Sequence, residues 1–249
     1  MRGLTEADPE GPQKDEPAGL LARFLDGTPL DRRTEASLLG RLALSLAGSA
    51  RKAGAAAVAS GAWLAEVVAD LAPHVPIRDL ATLSKHYDGK TSDELADALI
   101  ENASIATGAV GAAAGLVSSL ELAAPPLLLT SPVQVAAETL AVIALELKLV
   151  AELHEVYGRP APGTTPMKMA AYLGAWTRRR ALDRIKPGEK VSGALTGAAR
   201  RELQRRVLRR AGSNAASVVP MFVGALAGAS LNKHQTTRLG RQVAAGLTE

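Results

Sequence analysis

The chain has 249 residues, no Cys, four His and a formal net charge of +4. Without cysteine, disulfides, thiol catalysis and thiolate metal sites are excluded, and the aromatic share of 3% is too low to fill the faces of a typical sheet protein. Abundant Ala beside scarce β-branched residues points instead to an all-α fold, a compact bundle of about seven to nine helices with Gly/Ala-rich central hairpins.

Residues 1–17, acidic and rich in Pro and Gly, read as a disordered lead without the features of a secretory signal, so a cytoplasmic protein is expected. Residues 18–249 then form one helical domain. A short amphipathic turn, LLARFLDG, precedes an Ala-rich helical region from Asp31 to Ala72, with a break expected near Gly48. Pro73 and Pro76 end that region, and a short helix follows from Ile77 to His86. Thr91 and Glu94 have the spacing of a capping box, which starts the next helix near Ser92 and carries it through Ser119.

The adjacent Pro125 and Pro126 forbid a regular helix, because each removes an amide donor and clashes with the turn before it. With Leu122, Leu127, Leu128 and Leu129 they make an apolar turn, a candidate for lipid insertion or for docking a protein partner. Ser131, Pro132 and Gln134 give a strong start signal for a helix ending at Gly158. Thr165 and Pro166 start another, reaching about Ile185, and a basic helix from Val191 to Ala211 follows. The apolar segment from Ser213 to Leu231 and a further helical stretch close the chain.

Three stripes of small residues recur at i, i+4 spacing: Thr107, Gly111, Gly115, Ser119; Pro220, Gly224, Gly228, Asn232; and Ala53, Ala57, Gly61, Ala65. Gly inside a helix costs about 0.5–1 kcal/mol relative to Ala, so aligning several demands a gain, which close helix approach supplies in water or in lipid. Packing inside a water-exposed fold is the preferred reading. Ser213 to Leu231 has 19 uncharged residues, marginal against the about 20 a membrane span needs, and its Gly, Ala and Pro content makes it a poor one.

The helix from Pro132 to Tyr157 holds most of the chemistry. Gln134, Glu138, Lys148, Glu152 and Glu155 share one sector of its wheel and read as a solvated face with a Lys148–Glu152 ion pair. Glu146 and His154 lie off that sector and are weak candidates for an acid–base pair of a hydrolase-like enzyme. No metal motif, nucleotide loop or nucleophile elbow is present, so neither a metal nor a cofactor is expected.

Charge is unevenly placed. From Arg178 to Arg210 twelve Lys or Arg stand against three acids, a net of +9 that leaves −5 for the rest. Arg200, Arg201, Arg205, Arg206, Arg209 and Arg210 cover half of the basic helix opposite an apolar stripe, the form of a cationic helix lying on an anionic membrane surface. Nucleic acid is an unfavoured partner, since stacking aromatics and binding motifs are missing.

Two segments carry a family resemblance. The Gly-rich helix, the apolar Pro turn and the helix ending LELKLVAELHEVYG (Tyr157, Gly158), then a linker and AAYLGAW, form the first; VVPMFVGALAGASLNKHQTTRLGRQVAAGL is the second. Its Pro220, Gly224, Gly228, Asn232, Thr237 and Gly240 stand in a characteristic order. From about Arg41 onward the chain resembles the EcsC protein family. That resemblance implies a helical, membrane-associated intracellular protein without an agreed activity or catalytic set; the turn AAPPLLLTSP departs from the family in lacking an acidic residue. The expected function is therefore non-enzymatic and peripheral at the inner face of the cytoplasmic membrane. The alternatives are a soluble scaffold or homo-oligomer that docks a protein partner through its turn, and the Glu146–His154 enzyme.

Overall fold

The computed structural model describes residues 16–28, 30–59, 61–123, 131–181 and 221–248. Within them the secondary structure is helical and no strand occurs: α1 (Pro17–Leu25), α2 (Arg32–Ala53), α3 (Ala55–Ala59), α4 (Ala62–Leu71), a 3-10 turn (Ala72–His74), α5 (Leu80–His86), α6 (Ser92–Ala123), α7 (Ser131–Val156), α8 (Thr165–Ala181) and α9 (Met221–Thr248).

Local signals set most of these boundaries. The Asp31 carboxylate accepts from the amides of Arg33 and Thr34 at 2.9 and 3.1 Å and caps α2. Asp79 caps α5 by accepting from Thr82 N–H at 2.8 Å, so that helix starts at Leu80 and not at Ile77. Glu94 accepts from both the amide and the hydroxyl of Thr91, at 3.0 and 2.7 Å, the returning half of the expected capping box. At the end of α7 the Arg159 amide donates to His154 C=O at 2.8 Å across Gly158, whose φ is +65°, a Schellman closure.

The expected break near Gly48 does not occur, since α2 runs through it. The chain turns instead at Gly54 and Gly61, whose φ values of +85° and +71° lie in the left-handed region that side chains other than Gly rarely adopt. The stripe Ala53, Ala57, Gly61, Ala65 is therefore divided among α2, α3 and α4. At the C-terminal end the boundary expected after Leu231 does not occur: Met221–Thr248 is one continuous helix, α9.

The other two stripes meet. A side chain on Gly111 would come within 2.7 Å of Gly228 O and 2.8 Å of Asn232 Nδ2, so the α6 and α9 backbones are in direct contact there. Gly108 faces Ala229, and Ile100 covers Gly240. These pairs run in opposite directions along the two helices, so α6 and α9 are antiparallel. The pairs Glu146–Trp176 and His154–Tyr172 run in opposite directions along α7 and α8, as do Tyr157–Asp93 and the Glu146–Thr236–Thr107 relay along α7 and α6, so α7 is antiparallel to both.

α7 is the axis of the fold. It touches every other described α-helix, and each residue from Val135 to Leu147 is buried. A helix covered all round must be apolar all round or must pair its polar groups. α7 is apolar from Leu140 to Leu145 and pairs its buried Glu146 and Glu152, which overturns its expected solvated face: Glu138 and Glu152 are buried and Gln134, Lys148 and Glu155 are half-covered. Neighbouring helices occupy the space that an isolated wheel assigns to water.

Candidate functional site

Glu146 stands midway along α7 and is 0% exposed. The Trp176 indole N–H donates to its Oε2 at 2.8 Å, the Thr236 hydroxyl donates to Oε1 at 3.0 Å, and Arg180 pairs with Oε1. The Thr107 hydroxyl donates to Thr236 Oγ1 at 2.9 Å, and Asn232 Nδ2 donates to the Thr107 carbonyl at 3.1 Å. One carboxylate thus joins α7 to α8 and, through a hydroxyl relay, α9 to α6. The cluster forms because Trp176 and Arg180 are one turn apart on α8, and Asn232 and Thr236 one turn apart on α9. A buried charge is tolerable only when paired and hydrogen-bonded, and these partners meet that need.

A second carboxylate on α7 fastens the segment before α5. Glu152, 2% exposed, accepts from Arg78 in a two-pronged pair, Nε to Oε1 and Nη2 to Oε2, each 2.7 Å. Lys148 Nζ lies 2.7 Å from the same Oε1 and donates to Pro76 C=O at 2.7 Å. The expected Lys148–Glu152 pair exists, but its surroundings are dry, and burial lowers the Lys148 pKa.

His154 faces α8. Its Nδ1 lies 2.7 Å from Val150 C=O, its ring centroid is 5.1 Å from that of Tyr172, and the Tyr172 hydroxyl accepts from the Ala161 amide at 3.0 Å. Burial lowers the His154 pKa, an effect to which Arg179 and Arg178 add and which the Val150 carbonyl opposes. His154 also lines a cavity of about 150 Å³ with Ala175, Arg178, Arg179, Val243, Gly246 and Leu247.

The two weak catalytic candidates are therefore both on the α8 side of α7 but do not share this cavity. They are eight residues apart, roughly 12 Å along the helix. Both Glu146 oxygens accept from protein donors, and Glu146 is not among the cavity's lining residues.

The arginines 200, 201, 205, 206, 209 and 210, Pro220 and the turn residues 125–129 lie outside the described residues, as does the side chain of Leu122. Of Gly224 only the place in α9 is described. The family-pattern positions that are described have structural neighbours: Tyr157 donates to Asp93 at 3.1 Å, Gly228 meets Gly111, Asn232 reaches Thr107, and Gly240 meets Ile100. Thr237 donates to the Lys233 carbonyl at 2.9 Å and borders an open groove of about 390 Å³ on the outward face of α9 with His234, Arg238, Arg241, Gln242 and Ala245.

Sequence reasoning missed Trp176, Arg180, Thr236 and Arg78 as partners of buried carboxylates. The i, i+4 spacing of Trp176 and Arg180 was the available signal, but nothing local links it to Glu146. Among the described residues no cluster of His, Asp and Glu could hold a metal ion, and no helix is long and apolar enough to cross a membrane. Comparison with protein-family models, with curated proteins and with solved structures finds no match.

Proposed function

We propose that this chain is a non-enzymatic helical protein of the EcsC type that docks peripherally on an anionic membrane surface at the cytoplasmic side. The charge of two adjoining helices carries the reading: α8 and α9 together hold seven Lys or Arg and no Asp or Glu. One of the seven, Arg180, is committed to Glu146. Arg178 at the end of α8, and Lys233, Arg238 and Arg241 on α9, are exposed. The opposite face of α9 packs on α6, so these charges project outward from a fixed platform. Cationic residues near an anionic leaflet contribute up to about 1 kcal/mol each.

The segment joining the two helices in sequence contains the six clustered arginines from Arg200 to Arg210, a second concentration of positive charge. The apolar turn from Leu122 to Leu129 is the proposed insertion point. Membership of the EcsC family is part of this reading. It is supported by the order of the elements and by the close packing and hydrogen bonding of Gly228, Asn232 and Gly240.

Vesicle co-sedimentation tests the proposal. Pelleting should require anionic lipid and weaken with salt, since exposed charges are screened over about 8 Å at physiological ionic strength. It should fall when Lys233, Arg238 and Arg241 become Glu, and likewise for Arg201, Arg205 and Arg209. Binding indifferent to lipid charge and unchanged by both reversals would sink the reading; a defined oligomer remaining in the supernatant would favour the scaffold instead.

A further inference from the structure

The cavity beside His154 has the chemistry of an oxyanion site. Two of its seven lining residues are arginines, one is the histidine, and none is a carboxylate. Arg178 and Arg179 each present a planar fork of N–H donors suited to phosphate oxygens, and neither has a carboxylate partner among the described residues. Arg179 is seated by a glycine: a Cβ on Gly246 would collide with its guanidinium, with Cζ at 2.9 Å. A carbonyl can only accept, so His154 Nδ1 holds the proton shared with Val150 C=O, which leaves Nε2 for a ligand.

The other groups facing His154 are few. Among the described residues Tyr172 stacks at a tilt, Glu155 is the one carboxylate that acts on it, and α9 contributes Val243, Gly246 and Leu247. The volume of about 150 Å³ admits a tetrahedral oxyanion with a few waters and lies well below the roughly 300–1,000 Å³ of pockets that hold nucleotides or drug-sized molecules.

We propose that this cavity between the last turns of α8 and α9 binds a phosphate dianion, either free or as the monoester headgroup of a lipid. Arg178 and Arg179 donate to the oxygens, and His154, as the imidazolium that the dianion stabilises, completes the site by donating from Nε2. Only the lipid source rests on the docking reading; the cavity's chemistry does not.

The experiment follows the His154 ring by NMR while inorganic phosphate is added, with the signal assigned through His154→Asn. Burial and two facing arginines hold its pKa below the ordinary 6.5, and a bound dianion offsets both, so the expected result is a saturable rise. Arg178→Gln and Arg179→Gln should each weaken phosphate binding roughly tenfold. Gly246→Val should weaken it by displacing Arg179, and Arg179→Lys, which keeps the charge and loses the fork, serves as a second variant if the valine unfolds the chain. No His154 response, or an equal response in the arginine variants, overturns the site.

Co-sedimentation then separates the sources. Pelleting with phosphatidylcholine vesicles containing phosphatidic acid, competed by inorganic phosphate, assigns the lipid monoester. A His154 response to phosphate without such competition assigns the free ion. A His154 response to phosphate in a chain that pellets with no anionic vesicle removes the docking reading and leaves the phosphate site standing.

Discussion

Replacing Glu146 by Ala should be among the most damaging single changes in this protein. The substitution leaves Arg180 without its buried counter-charge and removes the acceptor for the Trp176 N–H and the Thr236 hydroxyl. Breaking a buried ion pair from one side costs about 3–5 kcal/mol, a large share of the about 5–15 kcal/mol that holds a typical protein folded. Glu146→Gln can still accept from Trp176 and should cost less, about 2–3 kcal/mol, because the remaining loss is the charge on Arg180. Arg180→Met alone leaves a buried carboxylate and should resemble the Ala variant. Combining Glu146→Ala with Arg180→Met removes both charges, so the double variant should be at least about 2 kcal/mol more stable than the sum of those two singles. Urea denaturation followed by circular dichroism measures all four, and tryptophan fluorescence in a Trp63→Phe background reports on Trp176 itself. A Glu146→Ala cost under about 1 kcal/mol, with no coupling to Arg180, would refute the idea that this carboxylate ties the four helices together.

Three further outcomes are expected. Burial, reinforced by the negative charge of Asp31, pushes the Glu35 pKa up from 4.5 to about 7. The folded chain then binds this proton more tightly than the unfolded one, so the stability Glu35 contributes is full below pH 4.5 and is lost as pH rises to about 7. Glu35→Gln should match the parent at pH 4 and exceed it by up to about 3 kcal/mol at pH 8, measured as urea midpoints. Gly111→Ala should destabilise by about 1–3 kcal/mol despite the better helix propensity, because its Cβ meets the Gly228 carbonyl at 2.7 Å. Gly40→Ala, with nothing within 4 Å, should stabilise by about 0.5–1 kcal/mol, and thermal melts compare the two. Glu152→Ala should release the segment carrying Pro76 and Arg78, seen as faster amide hydrogen exchange before α5 than elsewhere in the fold.

What the sequence determined by itself is the all-α class and several of the described helix ends, because their causes are local. Asp31 and the Thr91–Glu94 pair bond to amides two or three residues away, and Gly158 closes α7 within one turn, so residue types and spacings reveal those ends, while the start of α5 at Leu80, capped by Asp79, lies three residues past the expected Ile77. Two of the three small-residue stripes, those of α6 and α9, also foretold close helix packing, since aligned glycines have a cost that a near neighbour offsets. Which of Gly48, Gly54 and Gly61 would break the helical region was not legible, for all three permit the turn and packing selects among them.

Tertiary structure alone decided the meaning of the charges on α7. Polarity along one helix cannot tell water from a distant partner: Glu152 finds its arginine 74 residues earlier, and Glu146 finds Trp176, Arg180 and Thr236 at separations of 30, 34 and 90. A helical wheel places such residues outside. Eight neighbouring helices place them inside, where a carboxylate must be paired to remain, and that requirement gathers Trp176, Arg180 and Thr236 around Glu146.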